Sequence, residues 1–149
     1  SISGGSIAGS GSNRTVRVSS IGAASITVTA DGKSSQFSFR VKRIPDPVFK
    51  VGTGKARVPA VEFKNQDFGR ADLEGFEFDL RFAVVSATVY FGGTGFPNPA
   101  IGSITGNSLA SIKALMARCG PGSSISFVNI KVQGPDGPRS IDERSIQLY

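Results

Sequence analysis

Five carboxylates crowd one stretch of this sequence: Asp67, Asp72, Glu74, Glu77 and Asp79. Carboxylates at close range can hold calcium or share the work of acid and base in sugar hydrolysis. Here the spacing, Asp-x4-Asp-x-Glu-x2-Glu-x-Asp, matches no calcium loop. Alternation along a strand would put Glu77 and Asp79 on one outward face beside Arg81, where charges are ordinarily just solvated. The stretch therefore reads first as a solvated face, then as an interaction surface through Asp67, Asp72 and Glu74.

Other routes to chemistry are narrower. The chain has no histidine, which removes the commonest general base near neutral pH, the Ser-His and Cys-His nucleophile pairs and most zinc sites. Cys119 is the single cysteine, so neither an internal disulfide nor a Cys-x-x-Cys pair can form. It falls on an apolar helical stripe, where a cysteine acts as a small buried hydrophobe. Gly4-Gly5, Gly9-x-Gly11 and Gly92-Gly93-x-Gly95 lack the Lys-Ser/Thr and the strand-to-helix junction of a phosphate loop and read as turns. No catalytic residue, cofactor or metal is expected.

What positions these residues is mostly strand. Among 149 residues, 39% are hydrophobic, with 19 Gly and 8 Pro, a punctuation that suits short strands joined by turns. Period-two alternation runs through Arg14–Val18, Ser25–Ala30 and Gln36–Lys42, with Asp31-Gly32 as a hairpin signal between the last two. Three such strands suggest part of an immunoglobulin-like sandwich, which needs about seven. Truncation or another chain would then account for the rest.

Pro45 and Pro47 flank Asp46. Each proline fixes its φ, lacks an N–H and holds the preceding residue extended, so Pro45-Asp46-Pro47 reads as a stiff hinge. Beyond it the sequence predicts strands over Val48–Val51 and Val58–Phe63. A long strand is expected over Phe76–Phe91, its inward phase flipping between Val84 and Val85. Ile125–Val132 flips likewise, and two strands with matched flips are candidates for bent neighbours. Leu109, Ile112, Leu115, Met116 and Cys119 share helical spacing, predicting a helix over about 107–119 with Asn107 or Ser108 as N-cap and Gly120-Pro121-Gly122 as its stop. Phe96, with Pro97 and Pro99 in the Gly- and Pro-rich loop before it, is either pinned into the core or offered to a partner. A Gly134-Pro135-Asp136-Gly137 turn precedes the last strand.

The expected fold class is mainly β: a partial immunoglobulin-like β-sandwich domain over 1–44, the hinge at 45–47, and a second β-rich domain over 48–149 with one short α-helix. Net charge is +6, from 17 Lys and Arg against 11 Asp and Glu. The basic residues are scattered singly, with no RNP-like or zinc-finger pattern, so no nucleic acid is expected. No apolar run approaches the length of a membrane helix and no signal peptide opens the chain. The abrupt Ser1-Ile2-Ser3-Gly4-Gly5 start looks like that of a cut fragment. An extracellular immunoglobulin-like adhesin or glycan-binding module is the alternative reading. It has little support, since the chain has no Trp and only Tyr90 and Tyr149 as tyrosines.

One string, Val41-Lys42-Arg43-Ile44-Pro45-Asp46-Pro47, is the most specific in the chain. With Ser3-Gly4-Gly5-Ser6-Ile7, Thr15-Val16-Arg17-Val18, Phe76-Glu77-Phe78-Asp79-Leu80 and Gly134-Pro135-Asp136-Gly137 in that order, it resembles the GldM/PorM family over essentially the whole length. The resemblance implies part of the type IX secretion and gliding-motility machinery. Such proteins are anchored in the inner membrane by an N-terminal helix and pair there with a GldL-like protein as a motor. Their periplasmic part is a long homodimer whose far end meets GldN-like and GldK-like ring proteins. This chain would be the last two periplasmic domains, the penultimate one without its opening strands. It departs from the family by lacking the membrane helix and the helical first domain. The resemblance thus implies a non-catalytic, periplasmic, force-transmitting shaft segment.

Overall fold

In the computed structural model, which describes residues 1–149, the Asp31-Gly32 signal becomes a tight hairpin. Both residues take left-handed angles, φ 50° and 73°, as a two-residue turn matched to strand twist requires. The chain divides into two compact units, Ser1–Ile44 and Pro45–Tyr149.

The first unit holds β1 (Ile2–Ser3), β2 (Gly5–Ala8), β3 (Thr15–Val18), β4 (Gly22–Ala30) and β5 (Lys33–Val41). β1, β4 and β5 form one antiparallel sheet, while β2 and β3 form a separate ribbon. Register pairs Ala24 with Phe39 and Ile26 with Phe37, and on the alternate positions Ser25 with Ser38 and Thr27 with Gln36. One face is thus apolar and the other polar, since side chains alternate across a strand. Hydroxyl and amide contacts knit the polar face, with Ser3 Oγ to Ser25 Oγ at 3.2 Å and Thr29 Oγ1 to Ser34 Oγ at 2.8 Å. These five strands form a sheet and a ribbon, fewer than the roughly seven of an immunoglobulin sandwich.

The second unit contains β6 (Val48–Val51), β7 (Arg57–Val58), α1 (Ala60–Lys64), β8 (Gly69–Asp72), β9 (Ala83–Gly93) and β10 (Ala100–Thr105). A 3₁₀ turn (Ala110–Ile112), α2 (Lys113–Arg118), β11 (Ser123–Gly134), β12 (Gly137–Ile141) and β13 (Arg144–Leu148) follow. The main sheet runs β10-β9-β11-β13-β7, with β12 paired to the far half of β11; β6 and β8 form a second, two-stranded sheet. Its core is built from Val89, Phe91, Ile125, Phe127 and Ile130, covered by Leu109, Ile112 and Met116. The Phe49 ring joins it, 4.8 Å from that of Phe127.

The matched phase flips become a shared irregularity. β9 buries Val84, then Ala87, Val89 and Phe91; β11 buries Ile125 and Phe127, then Ile130 and Val132. The two strands are antiparallel neighbours, and their register shifts between Val128 and Lys131 and again before Val132. Asn129, at φ 51°, is the residue that absorbs the extra length, as a bulge requires.

Three sequence-based expectations are corrected. Val58–Phe63 is strand only at Arg57–Val58; Pro59 then opens the single-turn α1, which buries Ala60 and Phe63. Proline is suited to a helix start because the missing N–H would be unpaired there. Phe76–Phe91 is strand only from Ala83. The residues before it have the right alternation but no ladder partner; only Phe82 meets β8, through one bridge at Ala71. Gly75 turns the chain at φ 63°, and Phe78 stands 68% exposed. The helix also starts later than Asn107–Ser108, since Ser108 is bridged to Phe68 in extended form. Ser108 Oγ still accepts the Ala110 N–H at 3.3 Å.

Candidate interaction surfaces

The carboxylates are dispersed by the fold, and several are matched with cations. Asp67 pairs with Lys113 at 2.8 Å, Asp72 with Arg70 at 2.7 Å, and Glu74 with Lys50 at 2.8 Å. Lys50 also lies 3.9 Å from Asp72. Glu77 and Asp79 sit exposed on the loop before β9. An open groove of about 570 Å³ runs between this loop and β8, bordered by Arg70, Asp72, Phe76, Phe78 and Phe82. No group of three His, Cys, Asp or Glu side chains is placed to share a metal ion.

Phe96, for which the sequence left core and partner open, is packed inside at 4% exposure. Its ring lies 5.5 Å from that of Phe91, and the Arg118 guanidinium stands 4.6 Å above it. Arg118 also donates to the Gly95 carbonyl at 3.1 Å, so the last turn of α2 closes over the loop. Pro97 and Pro99 remain exposed and form the loop's outer surface. Cys119 is buried, its Sγ donating to the Leu115 carbonyl at 3.6 Å. Burial pushes its thiol up to about 11, against the lowering influence of Lys64 and Arg118. A thiol so poised is a poor nucleophile near neutral pH.

Pro45, Asp46 and Pro47 open the second unit. Pro47 is buried. Asp46 Oδ1 lies 2.7 Å from Arg139 Nη1, which also donates to the Pro45 carbonyl at 3.4 Å. The other guanidinium nitrogen of Arg139 pairs with Asp136 on the turn before β12, and its carbon lies 5.1 Å from the Phe82 ring centre. Arg139 is the residue that sequence reasoning missed. It stands 93 positions from Asp46, and nothing local to it announces the contact.

Charge is unevenly divided. The first unit has Arg14, Arg17, Lys33, Arg40, Lys42 and Arg43 against Asp31 alone, a net +5 of the chain's +6. It also leaves apolar surface uncovered. Phe37 and Phe39 are each 51% exposed and Val28 and Val18 about half-exposed. Beside them Val16, Val18, Ala24, Ile26 and Phe39 line a groove of about 360 Å³. A contiguous half-exposed apolar patch on an otherwise polar sheet is the usual mark of a contact surface.

The fold defines a mainly β module of two units. Residues 25–143 match the model of the GldM C-terminal domain. The chain belongs to that family, a component of the type IX secretion and gliding-motility machinery. The matched stretch includes most of β4, all of β5 and the second unit as far as the link between β12 and β13. Among curated proteins, none matches the chain. No helix is long and apolar enough to cross a membrane.

Proposed function

We propose that the chain is a non-catalytic, periplasmic part of the motor shaft of this machinery. It dimerises with a second copy and contacts GldN-like and GldK-like ring proteins to pass force from the inner membrane toward the outer membrane. A GldL-like inner-membrane protein would be reached through the part of the full-length protein that carries the membrane anchor. The observation that carries this reading is the family match over residues 25–143. The half-exposed apolar face of β4 and β5 supports self-association, because surface of that kind is stabilised when a second apolar surface excludes water from it. For the ring, exposed Pro97 and Pro99 and, apart from them, the carboxylates Asp67, Asp72 and Glu74 are the candidate contacts. The Pro45-Asp46-Pro47 hinge supplies the stiffness a force-bearing joint needs.

Binding to immobilised GldN-like and GldK-like proteins at two salt concentrations tests the proposal. Saturable binding that weakens with salt is expected, since the charge of the first unit would steer an acidic partner. Light scattering tests the dimer. Absence of ring binding at both salts, with a monomer at every concentration, would reduce the chain to a spacer.

A further inference from the structure

Arg139 is 8% exposed at its side chain, and its guanidinium meets acceptors from distant places in the chain. Asp46 and the Pro45 carbonyl come from the strap that opens the second unit; Asp136 comes from its own hairpin turn. A guanidinium can do this because its donors form a rigid planar fork that holds two carboxylates at once. Below it, Phe82 fixes the guanidinium's position and is itself seated on Gly134, whose α-carbon leaves no room for a side chain. Every member of the cluster lies in the second unit.

The cluster matters for where tension goes. Past Pro47 the chain enters β6, held to β8 by four residue pairs from Val48–Asp72 to Val51–Gly69. Tension arriving at Val48 alone would be carried by that short ladder and by the buried side chains of Phe49 and Val51. Tension taken off at Asp46 instead passes through Arg139 into β12, which is paired along Ile130–Gly134 of β11. β11 is bonded on its other side to β9, in the middle of the main sheet. We infer that the Asp46–Arg139 contact is a mechanical clasp that diverts load on the Pro45–Pro47 strap from the β6–β8 ribbon into the main sheet. Its physiological use rests on the force-transmission reading above, whereas the clasp itself is a property of the fold.

The test is single-molecule pulling on the whole chain, with one handle at Lys42→Cys and the other at a cysteine appended after Tyr149. The same handles are placed on chains carrying Arg139→Gln or Asp46→Ala. With the clasp intact, β6 leaves together with the main sheet. Without it, an early step appears at lower force as residues 45–51 peel away, releasing about 25 Å at roughly 3.6 Å per extended residue. Asp46 is 53% exposed at its side chain, so its substitution leaves the core in place even where loss of Arg139 disturbs folding. Equal first-rupture forces and no early step in the Asp46→Ala chain would overturn the clasp. That result would leave the shaft reading standing, and failure of ring proteins to bind would do the reverse.

Discussion

Phe82 lies directly against Gly134, so closely that a methyl group added there would overlap the edge of the phenyl ring. Gly134 closes β11 opposite Gly137, and Phe82 immediately precedes β9, so the contact pins the start of one central strand to the end of its neighbour. The φ of Gly134 is not left-handed, which makes the requirement steric and not conformational. Gly134→Ala is therefore expected to destabilise the second unit by about 1–3 kcal/mol, the range for forced overpacking. Urea unfolding would read it as a lower midpoint with an unchanged slope. A wild-type midpoint would mean that Phe82 swings aside freely, and the support beneath Arg139 with it.

Phe96 makes a second stability prediction. Its ring sits between Phe91 and the Arg118 guanidinium, so Phe96→Ala removes a filled volume and should cost about 3–5 kcal/mol. Arg118→Ala removes only the cation above the ring and a partly exposed hydrogen bond, and should cost about 0.5–1 kcal/mol. Denaturant titration of the two variants checks the ratio. Equal, small effects would put the Phe96 ring at the surface.

Most strands were legible because the signal that writes them is local. Alternation at Ser25–Ala30 and Gln36–Lys42 and the Asp31-Gly32 turn required no knowledge of distant partners, and the paired phase flips of β9 and β11 pointed to each other. Phe76–Leu80 misled for the same reason. Its alternation is as good, but alternation does not supply a partner: the chain turns at Gly75, and only Phe82 bridges to β8, at Ala71. α1 was hidden because Ala60, Val61 and Phe63, with Val58, also fit a short apolar strand, and only Pro59 marks the change. At Phe96 the ambiguity lay in tertiary contact, since the residue that covers it, Arg118, lies 22 positions on across β10. Arg139 was out of reach altogether. The Pro-Asp-Pro string announced stiffness, while the side chain that fastens it belongs to a hairpin at the opposite end of the domain's sequence.

Asn129 tests the bulge. It is exposed and left-handed at φ 51°, a conformation that asparagine tolerates and glycine adopts freely. Asn129→Gly should change stability by no more than a few tenths of a kcal/mol, whereas Asn129→Val should cost about 1–2 kcal/mol because a β-branched residue is strained there. Thermal unfolding of the pair decides it. Equal stability of the two variants would mean that β9 and β11 pair without the extra residue.

Cys119 gives the chain an alkaline signature. Burial raises its thiol from the ordinary 9.0 to about 11 in the folded chain, so folding favours the neutral form. A raised folded value contributes stability that is fully present below the unfolded pKa and is lost as pH climbs through the folded one. The window here therefore runs upward from about pH 9 to about pH 11. Other groups titrate at such pH, so the measurement is the difference between the stability curves of the wild type and Cys119→Ala. Below pH 9 the wild type should lead by a constant margin; above it the margin should shrink. In parallel, iodoacetamide at pH 8 should leave the folded thiol almost untouched and modify it rapidly in urea, since only the thiolate reacts. Rapid alkylation of the folded chain would mean that the α2 stripe opens readily, and the constant margin below pH 9 would then have no basis.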